Sequence, residues 1–194
     1  TVSVHYDPMI AKIIAHGPNR RAALARLSAA LGATEVVGVT TNRDFLRALV
    51  EHPEMVGGPI DTGFVGREIA ALAPPPAPAP DWVLAVAGLA EMRALATAAR
   101  ARAAAGADPH SPWARADAWR LNDSAHHDLR FRQGETETPV EMRADGPGWL
   151  AGVAGAEIAV AEAGPGTPAG DGRLSVAVDG VRRAVRVVAD GERR

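Results

Sequence analysis

The 194-residue chain has no cysteine and one lysine, Lys12. The first absence excludes disulfides, thiolate metal sites and a cysteine nucleophile. The second leaves a single amine for any chemistry that needs one. Charge of one sign is also missing: 21 basic against 23 acidic residues give a net charge of -2, so nothing steers the chain toward phosphate backbones or anionic membrane surfaces. No nucleic-acid partner and no membrane partner are expected. The longest apolar run is interrupted by Glu91 and Arg93, short of the ~20 residues a membrane span requires. Thr1 is followed by neither a basic leader nor an apolar signal core, so no targeting segment is expected. The simplest expectation is a cytoplasmic piece of a longer chain.

What is present is mostly alanine, about one residue in five, with a strong excess of arginine over lysine. Both are read as codon bias, not as a nucleic-acid signal. The sharpest boundary is Pro74-Pro75-Pro76-Ala77-Pro78-Ala79-Pro80, where five prolines remove backbone donors and favour an extended form. At ~3.1 Å per residue, such a joint spaces its neighbours by roughly 20 Å. It divides the chain into residues 1–72, a linker at 73–80, and residues 81–194.

The first part alternates strand and helix patterns. Val2–Val4, Met9–Ile14 and Val36–Val39 read as strands. Leu24, Leu27 and Leu31 recur at helical spacing within Asn19–Leu31, with Gly32 as a stop. Thr41 is placed to cap a second helix through Phe45, Leu46 and Leu49. An α/β subdomain follows, with a sheet that would continue into other sequence.

In the second part, a long helix is expected over 81–105, capped by Asp81, broken only by Gly88 and ending near Gly106. Trp82, Val83, Leu84, Val86, Leu89, Met92 and Leu95 surround its axis, so no single face buries them all. Leaving these seven in water would forfeit roughly 10 to 20 kcal/mol at ~1.5 to 3 each. The helix therefore needs a wrapper, and residues 117–194 supply short alternating strands: Trp119 and Leu121, Leu129 and Phe131, Val140 and Met142, Ile158 and Val160, Leu174 to Val178, Val185 and Val187. An α+β chain with an antiparallel β-barrel around a central helix is the expected architecture. Asp179-Gly180 makes a two-residue hairpin turn, and Asp190-Gly191 a second one whose partner strand is missing.

Candidate sites are few. Asp7 is either a carboxylate at the mouth of a site or a strand-start residue bonding local backbone. Lys12 reads as a snorkelling or ion-paired strand residue. In His126-His127-Asp128 only His126 and Asp128 share a face, and two ligands do not make a zinc site, so no metal is expected. The glycine-rich Gly164–Gly172 has no lysine, and its prolines delete the amides that would cradle phosphate. Arg93, Arg100 and Arg102 lie on the long helix without interleaved aromatics, as on a solvated face. The segment Asp108-Pro109-His110-Ser111-Pro112-Trp113 is stiffened by two prolines and carries the kind of large anchor that concentrates binding energy. Trp113 either docks a partner or plugs the barrel end.

Three motifs, Tyr6-Asp7-Pro8-Met9-Ile10-Ala11-Lys12, Val36-Val37-Gly38-Val39-Thr40-Thr41-Asn42 and Asp61-Thr62-Gly63-Phe64, resemble the C-terminal subdomain of the biotin carboxylase unit in acyl-CoA carboxylase α subunits. The wrapped helix, Ser111-Pro112-Trp113 and Trp119-Arg120-Leu121-Asn122 are similar to the domain that joins biotin carboxylase to carboxyltransferase (the BT domain) in propionyl-CoA and 3-methylcrotonyl-CoA carboxylases, with a tilt toward the second.

The resemblance implies a parent ligase that uses ATP and magnesium to carboxylate biotin and passes the carboxyl group to an acyl-CoA on a β subunit. It implies a supporting role for Asp7 near the biotin pocket. It also implies docking to the carboxyltransferase β subunit through His110, Pro112 and Trp113, and association with the rest of the α subunit, including its biotin carrier domain. The ATP-grasp part and the Met-Lys-Met carrier motif are not in this sequence. The chain alone is therefore expected to bind no cofactor and to catalyse neither half-reaction. The rival expectation is an independent β-barrel that binds a small molecule at its mouth.

Overall fold

The computed structural model describes residues 9–106, 118, 120–122, 124–164 and 172–188. The chain divides into two compact units, Thr1–Pro76 and Ala77–Arg194.

The first unit is helical among its described residues: α1 (Arg20–Ala33), α2 (Arg43–Glu51), α3 (Pro53–Gly57) and α4 (Phe64–Leu72). Asn19 starts α1, its side chain accepting from the Ala22 amide at 2.9 Å. The helix runs through Gly32 to Ala33 and ends at Thr34, so Gly32 is not the stop. Asn42, not Thr41, occupies the cap position of α2, and its side chain makes no capping bond. Leu31, Val50, Phe64 and Leu72 are buried. Arg20 joins α1 to α3 by donating to the Met55 carbonyl at 2.8 Å, and Arg26 holds the segment before α1 by donating to the His16 carbonyl at 2.7 Å.

The expected strands at Met9–Ile14 and Val36–Val39 do not form a ladder, and Val2–Val4 lies outside the described residues. A strand exists only in a ladder with a neighbour, and neither segment is assigned to one. Their apolar side chains consequently remain in water: Ile14 is 81 % exposed and Val39 57 %.

The second unit packs one long helix, α5 (Asp81–Ala105), on a six-stranded antiparallel sheet: β1 (His126–Gln133), β2 (Thr136–Asp145), β3 (Gly148–Val153), β4 (Ala156–Glu162), β5 (Arg173–Val178) and β6 (Val181–Arg186). The spatial order equals the chain order, β1 to β6, a meander. Four of its connections are two-residue turns. At Asp179-Gly180 both φ values are positive, 48° and 77°, which matches the right-handed twist of the flanking strands. Residues 120–122 form no strand, and Leu121 is 76 % exposed.

Period-two alternation sends Val140 and Met142, Ala151 and Val153, Ile158 and Val160, and Val176 and Val178 to one face. Ala85, Val86, Leu89 and Met92 of α5 cover that face, with Trp82 and Leu84 packed at its margin. Pro80, not Asp81, is the cap residue of α5, and Asp81 lies in the first turn, where its charge suits the helix dipole. The helix does not break at Gly88. Instead the missing side chain lets it close on Met142, and a Cβ there would overlap the Met142 sulfur.

The sheet is open: β1 and β6 are not bonded to one another, so the expected closed barrel is not seen among the described residues. One broad face of α5 is buried, while Val83 and Ala87 are half-buried and Leu95 is 38 % exposed. By length and composition α5 could cross a membrane, yet the residues it buries are those that face the sheet.

Candidate functional site

Two places gather chemistry among the described residues, one in each unit. In the first unit, the segment before α1 and the segment after it meet over the α1–α2 pair. They form a groove of about 670 Å³. Met9, Ile10 and Ile13 from before α1, Leu27 and Leu31 of α1, Leu46 and Val50 of α2, and Val36 with Thr40, Thr41 and Asn42 from between the helices line it. The first two sequence motifs are thus brought together in space.

The polar lining of the groove is Thr34, Thr40, Thr41, Asn42 and Arg43. Arg43 donates to the Thr34 carbonyl at 2.9 Å and to the Asp44 carboxylate at 2.7 Å. Among the described residues no carboxylate or imidazole lines the groove, and Lys12 is exposed and not part of it. Such a surface can hold apolar chain, and its described residues offer no general acid or base.

The third motif is structural. Asp61 accepts from the Gly63 amide at 2.8 Å and from Arg67 at 3.0 Å, which fixes the entry to α4. The Arg67 guanidinium, followed by the Gly63 amide, holds the Asp61 carboxyl below its ordinary value. Phe64, 1 % exposed, meets the His52 ring edge-on at 5.0 Å. Glu51 is likewise lowered, first by the Ser28 hydroxyl and then by Arg47.

In the second unit, His126 and Asp128 lie on the outer face of β1. The register pairs Asp128 with Glu141 of β2, so three ligand atoms lie within 4.8 Å of one another. Sequence reasoning missed Glu141 because its nearness depends on strand pairing. Both carboxylates are already engaged: Asp128 by Arg120 at 3.2 Å, and Glu141 by Arg143 at 3.1 Å, which also reaches Glu157. The arrangement is a surface ion-pair network. His127 points the other way and meets Trp149 edge-on at 5.9 Å. Arg93 pairs with Glu162 at 3.3 Å, tying α5 to the end of β4.

Asp7, His110, Pro112 and Trp113 lie outside the described residues, as do Trp119, Asp190-Gly191 and most of the glycine-rich loop.

Comparison with known proteins divides the chain in the same way. Residues 1–67 match the family model for the biotin carboxylase C-terminal domain. Residues 80–194 match that for the BT domain of the methylcrotonyl-CoA carboxylase α subunit. Among similar proteins, the mitochondrial methylcrotonoyl-CoA carboxylase subunit α of Dictyostelium discoideum is 33 % identical over 150 residues, 77 % of this chain and 21 % of that protein. Its counterpart in Arabidopsis thaliana is 48 % identical over 65 residues, 34 % of this chain and 9 % of that protein. The propionyl-CoA carboxylase α chain of Ruegeria pomeroyi is 40 % identical over 67 residues, 34 % of this chain and 10 % of that protein. The chain therefore spans between about a tenth and a fifth of the length of these relatives.

Proposed function

Since the chain belongs to the family of methylcrotonyl-CoA carboxylase α-subunit BT domains, preceded by a biotin carboxylase C-terminal domain, we propose that it is a scaffold and docking segment of a biotin-dependent acyl-CoA carboxylase. The parent would carboxylate biotin with ATP and magnesium and deliver the carboxyl group to an acyl-CoA, 3-methylcrotonyl-CoA or propionyl-CoA. Residues 1–72 serve as the end of the carboxylase unit, 73–80 as the joint, and 81–194 as the domain that meets the carboxyltransferase β subunit. A cytoplasmic location goes with this reading. The observation that carries it is the family match over residues 80–194, on a unit built as a long helix covered by a meander sheet.

The described residues do not fit ATP, magnesium or biotin. The described lining of the groove in the first unit is mostly apolar, its one guanidinium is engaged by Asp44 and Thr34, and no carboxylate to bind a metal is among its described residues. No step of the reaction is therefore assigned to them. Their contribution is packing: the groove and the exposed apolar side chains of Met9–Ile14 and Val36–Val39 receive apolar chain from the rest of the parent's carboxylase unit. Asp7 is assigned a supporting place beside the biotin pocket. His110, Pro112 and Trp113 are assigned to the β-subunit contact.

The test is a titration of the 194-residue chain with purified carboxyltransferase β subunits of the methylcrotonyl and propionyl types, read by calorimetry. Saturable binding to one of them, with no ATP-dependent carboxylation by the chain alone, is expected. Binding to neither would refute the docking role.

A further inference from the structure

Among the described residues β1 and β6 are the two edge strands of the meander, and an edge strand presents a row of backbone groups to an adventitious strand. One short stretch of chain is held from both. Gln133, the last residue of β1, accepts from the Ala79 amide at 2.6 Å and donates to the Ala77 carbonyl at 2.9 Å. On β6, the Arg183 guanidinium lies over the Trp82 ring, 4.5 Å from its centre. Two different side chains on opposite edges thus converge on six consecutive residues.

The chemistry of that stretch suits the task. In an extended chain the amides of alternate residues point to the same side. Ala77 and Ala79 carry the only backbone N–H groups between Pro74 and Pro80, and the alternating Pro76, Pro78 and Pro80 remove every donor from the opposite side. One side can bond inward, while the other offers carbonyls but no donor to a further strand. The Gln133 amide, spanning the carbonyl of Ala77 and the N–H of Ala79, makes the pair of bonds that one residue of a neighbouring strand would make.

We infer that Ala77–Trp82 is a strap for the open sheet, gripped by Gln133 on β1 and by Arg183 on β6. The proline-rich run is then not a spacer over its whole length. Its free part ends at Pro76, and the following residues belong to the second unit and shield its edges.

The test is amide hydrogen exchange by NMR on the 15N-labelled 194-residue chain. Ala79 should exchange at least about tenfold more slowly than Ala77, as one made hydrogen bond predicts. Gln133→Ala should bring Ala79 to the rate of Ala77, whereas Gln133→Glu, which keeps the acceptor and loses the donor, should preserve its protection. Arg183→Met should speed exchange in β6 while the Val140 and Met142 amides stay protected. An Ala79 amide that exchanges as fast as Ala77 in the wild type, or one equally protected in Gln133→Ala, overturns the first grip. An unchanged β6 in Arg183→Met overturns the second.

Discussion

In the second unit α5 comes close to the sheet at Gly88, and replacing it with alanine tests the packing directly. Two effects oppose one another. Alanine favours a helix interior over glycine by about 1 kcal/mol. The added methyl, however, would overlap the Met142 sulfur and sit 3.2 Å from both Met142 Cγ and Cε, and Met142 is fully buried. Overpacking of this kind costs typically ~1 to 3 kcal/mol. Gly88→Ala should therefore lose about 0 to 2 kcal/mol by the balance of the two terms. Met142→Ala alone should cost ~2 to 5 kcal/mol, as other buried Met→Ala changes do.

In the Met142→Ala background the space is free, and Gly88→Ala should turn stabilising by up to about 1 kcal/mol. The assay is urea unfolding followed by tryptophan fluorescence. All four tryptophans, Trp82, Trp113, Trp119 and Trp149, lie in the second unit, so the signal is free of the first. A double-mutant cycle with additive effects would refute the proposed contact between helix and sheet.

Three further outcomes follow from the first unit. Phe64→Ala should cost ~3 to 5 kcal/mol for an almost wholly buried ring, seen as loss of amide protection across α2 and α4. The Asp61 carboxyl is held below its ordinary 3.8, so its contribution is complete above that value and disappears as pH falls through its lower folded pKa. The difference in thermal midpoint between wild type and Asp61→Asn, followed by far-UV circular dichroism, should persist at pH 6 and shrink below pH 3.8. The exposed Val36, Val37 and Val39, with Met9 and Ile10, make an apolar surface that favours self-association of the 194-residue chain. Sedimentation velocity should show this weaken when Val37 and Val39 are both changed to Lys, with helical content unchanged.

Local signals carried much of the fold. Asn19 marked the start of α1 through a side-chain bond three residues away, Asp179-Gly180 marked a hairpin by its tolerance of positive φ, and the span of α5 followed from apolar spacing and Gly106. Long-range pairing was less legible. Met9–Ile14 and Val36–Val39 have strand composition but are not assigned to a strand, and composition alone does not make a ladder. Gly88 read as an interruption, although its role is to admit Met142 from a strand more than fifty residues away. Glu141 and Gln133 gave no local sign, since one acts through register and the other through contact with a distant segment. The docking segment was singled out by its prolines and Trp113, and its geometry is not among the described residues.

The central claim is that this chain docks a carboxyltransferase β subunit through the segment around Trp113. Size-exclusion chromatography of the 194-residue chain with a methylcrotonyl-type β subunit, beside the Trp113→Ala variant, tests it most directly. The account predicts co-elution of the wild type and a loss of at least about 2 kcal/mol of affinity in the variant, roughly thirtyfold, as an anchoring tryptophan requires. A folded chain that elutes alone with every β subunit, or a complex indifferent to Trp113→Ala, would contradict it.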